Sequence, residues 1–261
     1  MRLKDYNAVI TGAARGLGAA AAKRFVAEGA RVVVSDIDEA AARECARTLD
    51  AAGRRADAVA CDVADPTACA ALVAHAEKFF GAPIDIFLAH AGMGFAGALP
   101  AADPERIRRV VEVNVLGAIY SARAAMPSLA KSRHSSLIFT CSLQGVTARA
   151  ERSVYTASKH AIVGLSKGLA LECAPRGVRV NAISPASTDT PFLRAQFEAL
   201  GSKDVEHSVR EAAASMPLGR LPTPEDFADA AVFLASKEAR SITGHNLVLD
   251  CGASAGIWRP R

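Results

Sequence analysis

A tyrosine and a lysine stand four residues apart in the segment SVYTASKHA, residues 153–161. In a helix, side chains at positions i and i+4 share a face, with Cβ atoms about 5–6 Å apart. Tyr155 and Lys159 would then be neighbours, and an ammonium group beside a phenol favours the phenolate, which can accept a proton near neutrality. The pair predicts an acid/base site on a helix.

A glycine-rich turn follows the first apolar run of the chain. The segment TGAARGLG places Gly12, Gly16 and Gly18 where a strand pattern changes to a helical one. Glycines there let the backbone approach a pyrophosphate, and the N–H groups of the helix N-terminus can bind its charge. Because the spacing is GxxxGxG and not GxGxxG, a purely structural glycine turn is the alternative. Arg15 and Leu17 complete the predicted phosphate loop.

The second apolar run, RVVVSD, ends in Asp36, eighteen residues after Gly18. A carboxylate at this place accepts hydrogen bonds from an adenosine ribose and repels a 2′-phosphate, which favours NAD over NADP. Arg15 favours the opposite choice, because a guanidinium binds phosphate well. We give Asp36 more weight, since an exposed arginine can swing away, whereas a carboxylate facing a phosphate is a direct penalty.

The fold that must position these residues follows from an alternation along the chain. Longer alanine-rich helical stretches separate short runs of apolar, often β-branched residues: NAVIT, ARVVVSD, RADAVACDV, IDIFLAHAG, SSLIFTCS, GVRVNAIS and HNLVLD. Alternation of this kind predicts a parallel sheet covered by helices. We therefore predict an α/β fold, a three-layer Rossmann-type doubly wound parallel sheet of about seven strands with helices on both faces.

No linker, repeat or low-complexity segment divides the chain, so we predict one NAD(P)-binding domain over residues 1–261. The segment 191–216 is helical by pattern and lies between a strand and the turn PLGRLPTPED. An insertion there would overhang the carboxyl edge of the sheet. We predict that it forms a substrate lid.

Charge and cysteine usage exclude several classes of partner. The formal net charge of +4 comes from dispersed Lys and Arg, which argues against nucleic-acid and membrane partners. The six cysteines lack a CxxC pair or a His cluster, so we expect no metal site and a reducing compartment. Neither a cleavage pattern nor a bilayer-length apolar stretch is present, and we expect a cytoplasmic protein.

Motifs along nearly the whole chain resemble those of the short-chain dehydrogenase/reductase family. They are TGAARGLG, the strand-end CDV at 61–63, VNVLG around Asn114, Ser142 thirteen residues before Tyr155, YTASK, NAISPASTDTP, and ITGHNLVLDCG near the end. Each motif alone could occur by chance. Their joint order and spacing are specific, and no single one carries the resemblance.

The resemblance implies a role for each matching residue. Tyr155 would be the general acid/base, and Lys159 would hold the nicotinamide ribose and favour the phenolate. Ser142 would polarise the reacting oxygen, and Asn114 would anchor a water molecule in a proton relay. The resemblance also implies a homotetramer or homodimer, and further cofactor-binding residues: Asp62, Val63, His90, Ala91, Gly92, Thr188 and Thr190.

The chain departs from the family pattern at three positions. Ala89 and His90 stand where the family usually has two asparagines, close to the expected cofactor ribose. A histidine in this place is more often a core residue than a base. Ala186 stands where glycine is common, and its Cβ would tighten the nicotinamide pocket.

The predicted reaction is reversible hydride transfer between NAD and a secondary alcohol or ketone. Gln144 lies two positions after Ser142 and could bond a second hydroxyl, which favours a polyol, a sugar alcohol or a diol. Arg149 joins Gln144, Ser142 and Tyr155 in the predicted substrate site.

Two other functions are alternatives for the same residues. An NADP-dependent ketoreductase of the 3-oxoacyl-carrier-protein-reductase type would be supported by Arg15 and opposed by Asp36. A catalytically silent nucleotide-sensing regulator would have no need for Ser142, Tyr155 and Lys159 together.

Overall fold

Seven parallel strands form one sheet in the computed structural model, which describes residues 1–257. In chain order they are β1 (Asn7–Thr11), β2 (Arg31–Asp36), β3 (Ala56–Ala60), β4 (Ile86–Ala89), β5 (Ser136–Thr140), β6 (Arg179–Pro185) and β7 (Asn246–Leu249). Their spatial order is β3-β2-β1-β4-β5-β6-β7, and every neighbouring pair is parallel. The strand order therefore reverses between β1 and β4, where ligands bind in open α/β sheets.

Helices cover both faces of the sheet. They are α1 (Gly16–Ala27), α2 (Glu39–Leu49), α3 (Pro66–Phe80), α4 (Pro104–Val111), α5 (Gly117–Leu129), α6 (Ser153–Cys173), α7 (Pro191–Ala199), α8 (Val205–Ala214) and α9 (Pro224–Ala235). One core cluster joins α1, α2 and α9 to the sheet, and another joins α3, α5 and α6 to its opposite face. The predicted α/β, doubly wound, three-layer architecture is confirmed.

The apolar runs at the centre of the sheet form strands that are buried on both faces. All five residues of β1 are buried, as are the four central residues of β2. Val9 and Val33 pack into the cluster of α3, α5 and α6, whereas Ile10 and Val34 pack into the cluster of α1, α2 and α9. Successive side chains of a strand point to opposite faces, so a strand inside three layers needs apolar residues at every position.

The helix starts differ in a way that matters for binding. Asp38, Asp65 and Thr190 are among the residues whose side chains cap the N-terminus of the following helix. In contrast, the N-cap residue of α1, Arg15, makes no side-chain hydrogen bond to the first turn, and that turn contains no acidic residue. The first N–H groups of α1 are therefore left for an external anion.

Two further segments interrupt the alternation of strands and covering helices. A π-helical stretch, Glu112–Leu116, joins α4 to α5 and buries Asn114. Segment 191–216 forms α7 and α8, and Leu193 and Met216 belong to a small apolar cluster separate from the two main ones. This separation is consistent with a segment that moves apart from the core, and its action as a lid stays a prediction.

Candidate active site

A cavity of about 920 Å³ lies at the carboxyl edge of the sheet. Gly12 and Asp36, after β1 and β2, line one end of it. Ser142 and Tyr155, after β5 and in α6, line the other end, beneath Phe192 of α7. The volume is at the upper end of the usual range for ligand pockets, which suits a dinucleotide together with a small substrate.

The phosphate end of the cavity depends on close backbone packing. Gly12 has φ 65°, and a Cβ added there would lie 2.7 Å from Cα of Ala91. A Cβ on Gly18 would lie 2.5 Å from the carbonyl oxygen of Gly12. Nothing within 4 Å would meet a Cβ on Gly16, so this glycine, with φ 58°, faces open space. The loop thus presents backbone to the cavity, beside the uncapped N-terminus of α1.

Two carboxylates surround the place expected for the adenosine ribose. Asp36 accepts hydrogen bonds from the backbone N–H groups of Ala14 and Asp38, each at 3.2 Å. The Arg15 guanidinium lies 2.9 Å from the carboxylate of Asp38, so this arginine already has an anionic partner. Two carboxylates and one paired arginine therefore line this part of the cavity.

Asp62 and Val63 follow β3 and also line the cavity. The Asp62 carboxylate lies 2.7 Å from the Arg109 guanidinium and accepts a hydrogen bond from the N–H of Ala64 at 3.0 Å. Partial burial opposes ionisation, yet these two donors hold the pKa of Asp62 below its usual value. The carboxylate is thus ionised and fixed at neutral pH.

His90, which follows β4, forms hydrogen bonds to the neighbouring strands β1 and β5. Its backbone N–H donates to Oγ1 of Thr11 at 3.0 Å, and its Nδ1 lies 3.0 Å from Oγ1 of Thr140. The ring packs on Phe227 at a centroid distance of 5.5 Å, while one edge of the residue lines the cavity. Burial, with a contribution from the Lys159 charge, lowers the pKa of His90 to about 4. The imidazole is therefore neutral near pH 7.

Tyr155 and Lys159 lie together near the start of α6. Both are buried, at 8% and 5% exposure, and the Lys159 Nζ lies 5.6 Å from the centroid of the Tyr155 ring. The ammonium donates one hydrogen bond, 3.1 Å long, to the carbonyl oxygen of Thr140. Within residues 1–257 no carboxylate pairs with it. Two of its three N–H donors are therefore available to the phenol and to a ligand.

Ser142 and Gln144 are oriented by neighbours that leave their donors free. The Ser142 oxygen accepts a hydrogen bond from the N–H of Gln144 at 3.2 Å, so its own proton can point elsewhere. The side-chain oxygen of Gln144 accepts from the hydroxyl of Thr156 at 3.0 Å. That contact directs the NH₂ group of Gln144 away from Thr156. Gln144 itself lines the cavity.

Asn114 lies behind the cavity wall and not on it. Its amide donates to the carbonyl of Met93 at 2.9 Å and to the Ser158 hydroxyl at 3.0 Å, and its oxygen accepts from the N–H of Met93 at 2.8 Å. A Cβ on Gly92 would lie 3.3 Å from that oxygen and 3.5 Å from the Lys159 ammonium. Asn114 therefore holds the loop after β4 close to Lys159.

Thr188 and Thr190 connect β6 to α7. The Thr188 hydroxyl donates to the carbonyl of Ala186, and the Thr190 hydroxyl donates to the carbonyl of Thr188, each at 3.1 Å. The Thr190 oxygen also accepts from the N–H of Leu193 and so caps α7. Both threonines line the cavity directly beneath the proposed lid.

Comparison with known proteins identifies the family. A family model described as enoyl-(acyl carrier protein) reductase matches residues 12–254. A 2,5-dichloro-2,5-cyclohexadiene-1,4-diol dehydrogenase of Sphingobium indicum is 38% identical over 256 residues, covering 98% of this chain and 99% of its own. A short-chain type dehydrogenase/reductase of Mycobacterium marinum superposes with a TM-score of 0.88 at 29% identity, covering 97% of each chain. This chain belongs to the short-chain dehydrogenase/reductase family.

A further solved structure extends the range of similar proteins. The aldohexose dehydrogenase of Thermoplasma acidophilum superposes with a TM-score of 0.88 at 34% identity, covering 99% of this chain and 98% of the other. Short-chain dehydrogenases are oxidoreductases that act on hydroxyl groups with a nicotinamide dinucleotide. The present chain is therefore an NAD(P)-dependent oxidoreductase with a small-molecule substrate.

Most of the residues that the family motifs predicted meet at this cavity. Gly18 and Asn114 are the exceptions, since they lie behind its wall. Sequence reasoning missed Asp38, Arg109 and Gln196, which also line it. Asp38 had a detectable signal, an Asp before a helical run, whereas Arg109 and its partner Asp62 are 47 residues apart in the chain.

The described part of the chain lacks two kinds of feature. No helix within residues 1–257 is long and apolar enough to cross a membrane. No group of three or more His, Cys, Asp or Glu in the same range is arranged to hold a metal ion.

Proposed function

We propose that this short-chain dehydrogenase transfers hydride between NAD and a secondary alcohol or ketone. The observation that carries the proposal is the convergence of Ser142, Tyr155 and Lys159 at one end of a cavity. The other end has the form of a dinucleotide site, with an uncapped helix N-terminus and the carboxylate of Asp36. All these groups face a single space, as hydride transfer between a bound cofactor and a substrate requires.

The chain supplies charge and orientation. Bound NAD supplies the hydride acceptor. Tyr155 accepts the hydroxyl proton of the alcohol, and the Lys159 ammonium beside it stabilises the phenolate. The Ser142 proton, free because its oxygen accepts from Gln144, donates to the reacting oxygen and holds it near Tyr155. Asn114 keeps the loop after β4 in contact with Lys159 and so supports its position.

The charges at the adenosine end favour NAD over NADP. Asp36 and Asp38 both line this end, and Asp38 holds Arg15, the cation that would otherwise meet a 2′-phosphate. An added phosphate would therefore face two carboxylates, with its best counter-charge already paired. The NADP-dependent ketoreductase alternative would require Arg15 to leave Asp38.

The substrate half of the cavity supports an alcohol with a second hydroxyl. The free NH₂ group of Gln144, oriented by Thr156, can donate to a hydroxyl next to the reacting carbon. Two similar proteins are named for a diol and for an aldohexose. We therefore place this chain among enzymes of polyols, sugar alcohols or diols. Gln144→Ala should lower kcat/KM for a diol about fivefold more than for a simple secondary alcohol.

We propose that the chain acts as one domain with a lid at 191–216. The lid reaches across the cavity mouth, because a Cβ on Gly94 would lie 2.8 Å from Nε2 of Gln196 and 3.1 Å from the Phe192 ring. Exposed apolar side chains on α5 and α6, such as Leu171 at 81% exposure, support a homodimer or homotetramer. The six unpaired thiols support a reducing compartment such as the cytoplasm.

The test is the reduction of NAD and NADP by purified protein with a panel of polyols, diols and simple secondary alcohols. Tyr155→Phe should lower kcat by about 10³-fold while leaving NADH binding intact, because it removes a proton acceptor and no binding contact. The control variant Tyr120→Phe alters a partly buried tyrosine of α5 that does not line the cavity. Full activity in Tyr155→Phe would contradict the mechanism. NADH binding without turnover on any alcohol would favour the nucleotide-sensing regulator.

A further inference from the structure

The cations that line the cavity differ in their partners. At the adenosine end, Arg15 pairs with Asp38 at 2.9 Å and Arg109 pairs with Asp62 at 2.7 Å. Arg149 also lines the cavity, yet within residues 1–257 its guanidinium has no carboxylate within 4 Å and no hydrogen bond to another residue. Of the three arginines that line the cavity, Arg149 is thus the one without a carboxylate partner in the described part of the chain.

The unpaired charge belongs to the substrate end. Arg149 lies between Gln144 and Tyr155 in the chain, and all three line the same region of the cavity. The carboxylates on the cavity wall are those of Asp36, Asp38 and Asp62, all at the adenosine end. The described wall of the substrate end therefore presents hydrogen-bond donors and positive charge without a matching carboxylate.

A second arginine adds to this positive region from behind the wall. Arg152 is 3% exposed, and Nη1 donates to the carbonyl of Phe95 at 3.2 Å. Burial lowers the pKa of Arg152, and the charge of Arg149 lowers it further, so the two cations repel each other. Glu151, which opposes this effect, is exposed between them. An anion at the cavity would relieve the repulsion between these two guanidinium groups.

Lys159 cannot replace Arg149 as the anion receptor. It is buried, bonded to the carbonyl of Thr140, and placed against the ring of Tyr155. Its remaining donors are committed to the phenol and the cofactor ribose in the proposed mechanism. Arg149, in contrast, is exposed on a loop and presents a planar fork, the geometry that matches a carboxylate.

We propose that the physiological substrate is a hydroxy acid, whose carboxylate binds Arg149 while its carbinol lies between Ser142 and Tyr155. This inference rests on the proposed dehydrogenase function and narrows its substrate class. It is compatible with a second hydroxyl at Gln144, in which case the substrate is a polyhydroxy acid.

The experiment compares acids with neutral partners of the same carbinol. NAD reduction is measured with lactate against methyl lactate, 3-hydroxybutyrate against its methyl ester, and gluconate against sorbitol. In at least one pair the acid should exceed its neutral partner about tenfold in kcat/KM, the effect of one charge-assisted hydrogen bond. Arg149→Gln should abolish this preference, because it should lower kcat/KM for the acid about tenfold more than for its neutral partner. Arg149→Lys should retain part of it, since the charge remains without the fork.

Arg54→Gln is the matched control, because it removes the same charge from an exposed loop outside the cavity. It should leave the preference intact. Oxidation of neutral alcohols without any acid preference, or a preference that survives in Arg149→Gln, would overturn the hydroxy-acid inference and leave the dehydrogenase function standing. No oxidation of any member, with NADH still bound, would overturn both.

Discussion

The two ends of the cavity are built by different means. At the adenosine end the contacts are made by backbone and by strand-end residues, and Arg15 and Arg109 each have a carboxylate partner. At the substrate end the wall consists of loop side chains together with residues of α6 and α7, and Arg149 has no such partner within the described residues. The side-chain cations of the first end are paired before any ligand binds, whereas Arg149 at the second end has no carboxylate partner among the described residues.

This difference separates what a dinucleotide requires from what a substrate requires. A dinucleotide has the same phosphates and ribose in every enzyme that binds it, so fixed backbone can recognise it. A substrate is recognised by side chains that can change without altering the sheet, because loops tolerate substitution better than the elements they connect. The adenosine end should therefore respond to changes in packing, and the substrate end to changes in charge.

The largest effect is expected from filling the backbone contact at the phosphate end. Gly18→Ala places a Cβ 2.5 Å from the carbonyl oxygen of Gly12, which neither backbone can avoid. It should lower the free energy of unfolding by about 3 kcal/mol and abolish tight NADH binding. Gly168→Ala, in α6, meets nothing within 4 Å and should stabilise by roughly 0.5–1 kcal/mol. Urea unfolding measures the stability of both variants, and NADH fluorescence measures their cofactor binding. Equal effects of the two substitutions would show that the close backbone contact at Gly18 does not control stability or binding.

The next effect concerns His90, which lies between the two ends. Its pKa is about 4 in the folded protein, below the ordinary value of 6.5. Between pH 6.5 and pH 4 the unfolded chain therefore binds a proton at His90 that the folded protein does not bind. Its contribution to stability is therefore complete above pH 6.5 and is lost as the pH falls towards 4. At about 1.4 kcal/mol per pKa unit, the loss should reach ~2–3 kcal/mol.

His90→Asn should reduce this loss, as measured by urea unfolding at a series of pH values. His160→Asn, which changes an exposed histidine of α6, is the control and should keep the slope of the parent protein. A His90→Asn variant whose stability falls as steeply as that of the parent would show that the imidazole is not held neutral by burial.

The smallest effect concerns the choice of cofactor. Asp36→Asn removes the carboxylate expected to repel a 2′-phosphate, and it should raise the NADP-to-NAD ratio of kcat/KM about tenfold. Asp38→Asn frees Arg15 from its 2.9 Å ion pair and should raise the same ratio about threefold. A larger effect from Asp38→Asn than from Asp36→Asn would show that the pairing of Arg15, and not Asp36, controls the preference.

Local sequence was sufficient for the sheet and for much of the site. The seven apolar runs became seven strands, and most of these strands are buried on both faces, a property that the residue types display directly. Tyr155 and Lys159 could be paired because a helix brings positions i and i+4 together whatever surrounds it. Gly12 and Gly16 could be placed because the strand-to-helix turn is itself a local feature.

Contacts between distant segments could not be predicted in this way. The pairing of Arg109 with Asp62 spans 47 residues, and that of His90 with Thr140 spans 50. No pattern within either segment indicates its partner, since the two segments of each pair meet only when the sheet and its connections bring them to the same edge. The position of Asn114 behind the wall likewise depends on how the π-helical stretch before α5 packs against α6 and the loop after β4.

By itself the sequence determined the strands, the helices, the phosphate loop and the residues able to move a proton, because these follow from local periodicity and spacing. The tertiary structure alone decided which charges neutralise one another. It paired Arg15 and Arg109 with carboxylates and left Arg149 without one in the described chain. Charge pairing depends on the distances between segments that only the folded sheet brings together. It also depends on how far packing excludes water, because charges attract more strongly where less water surrounds them.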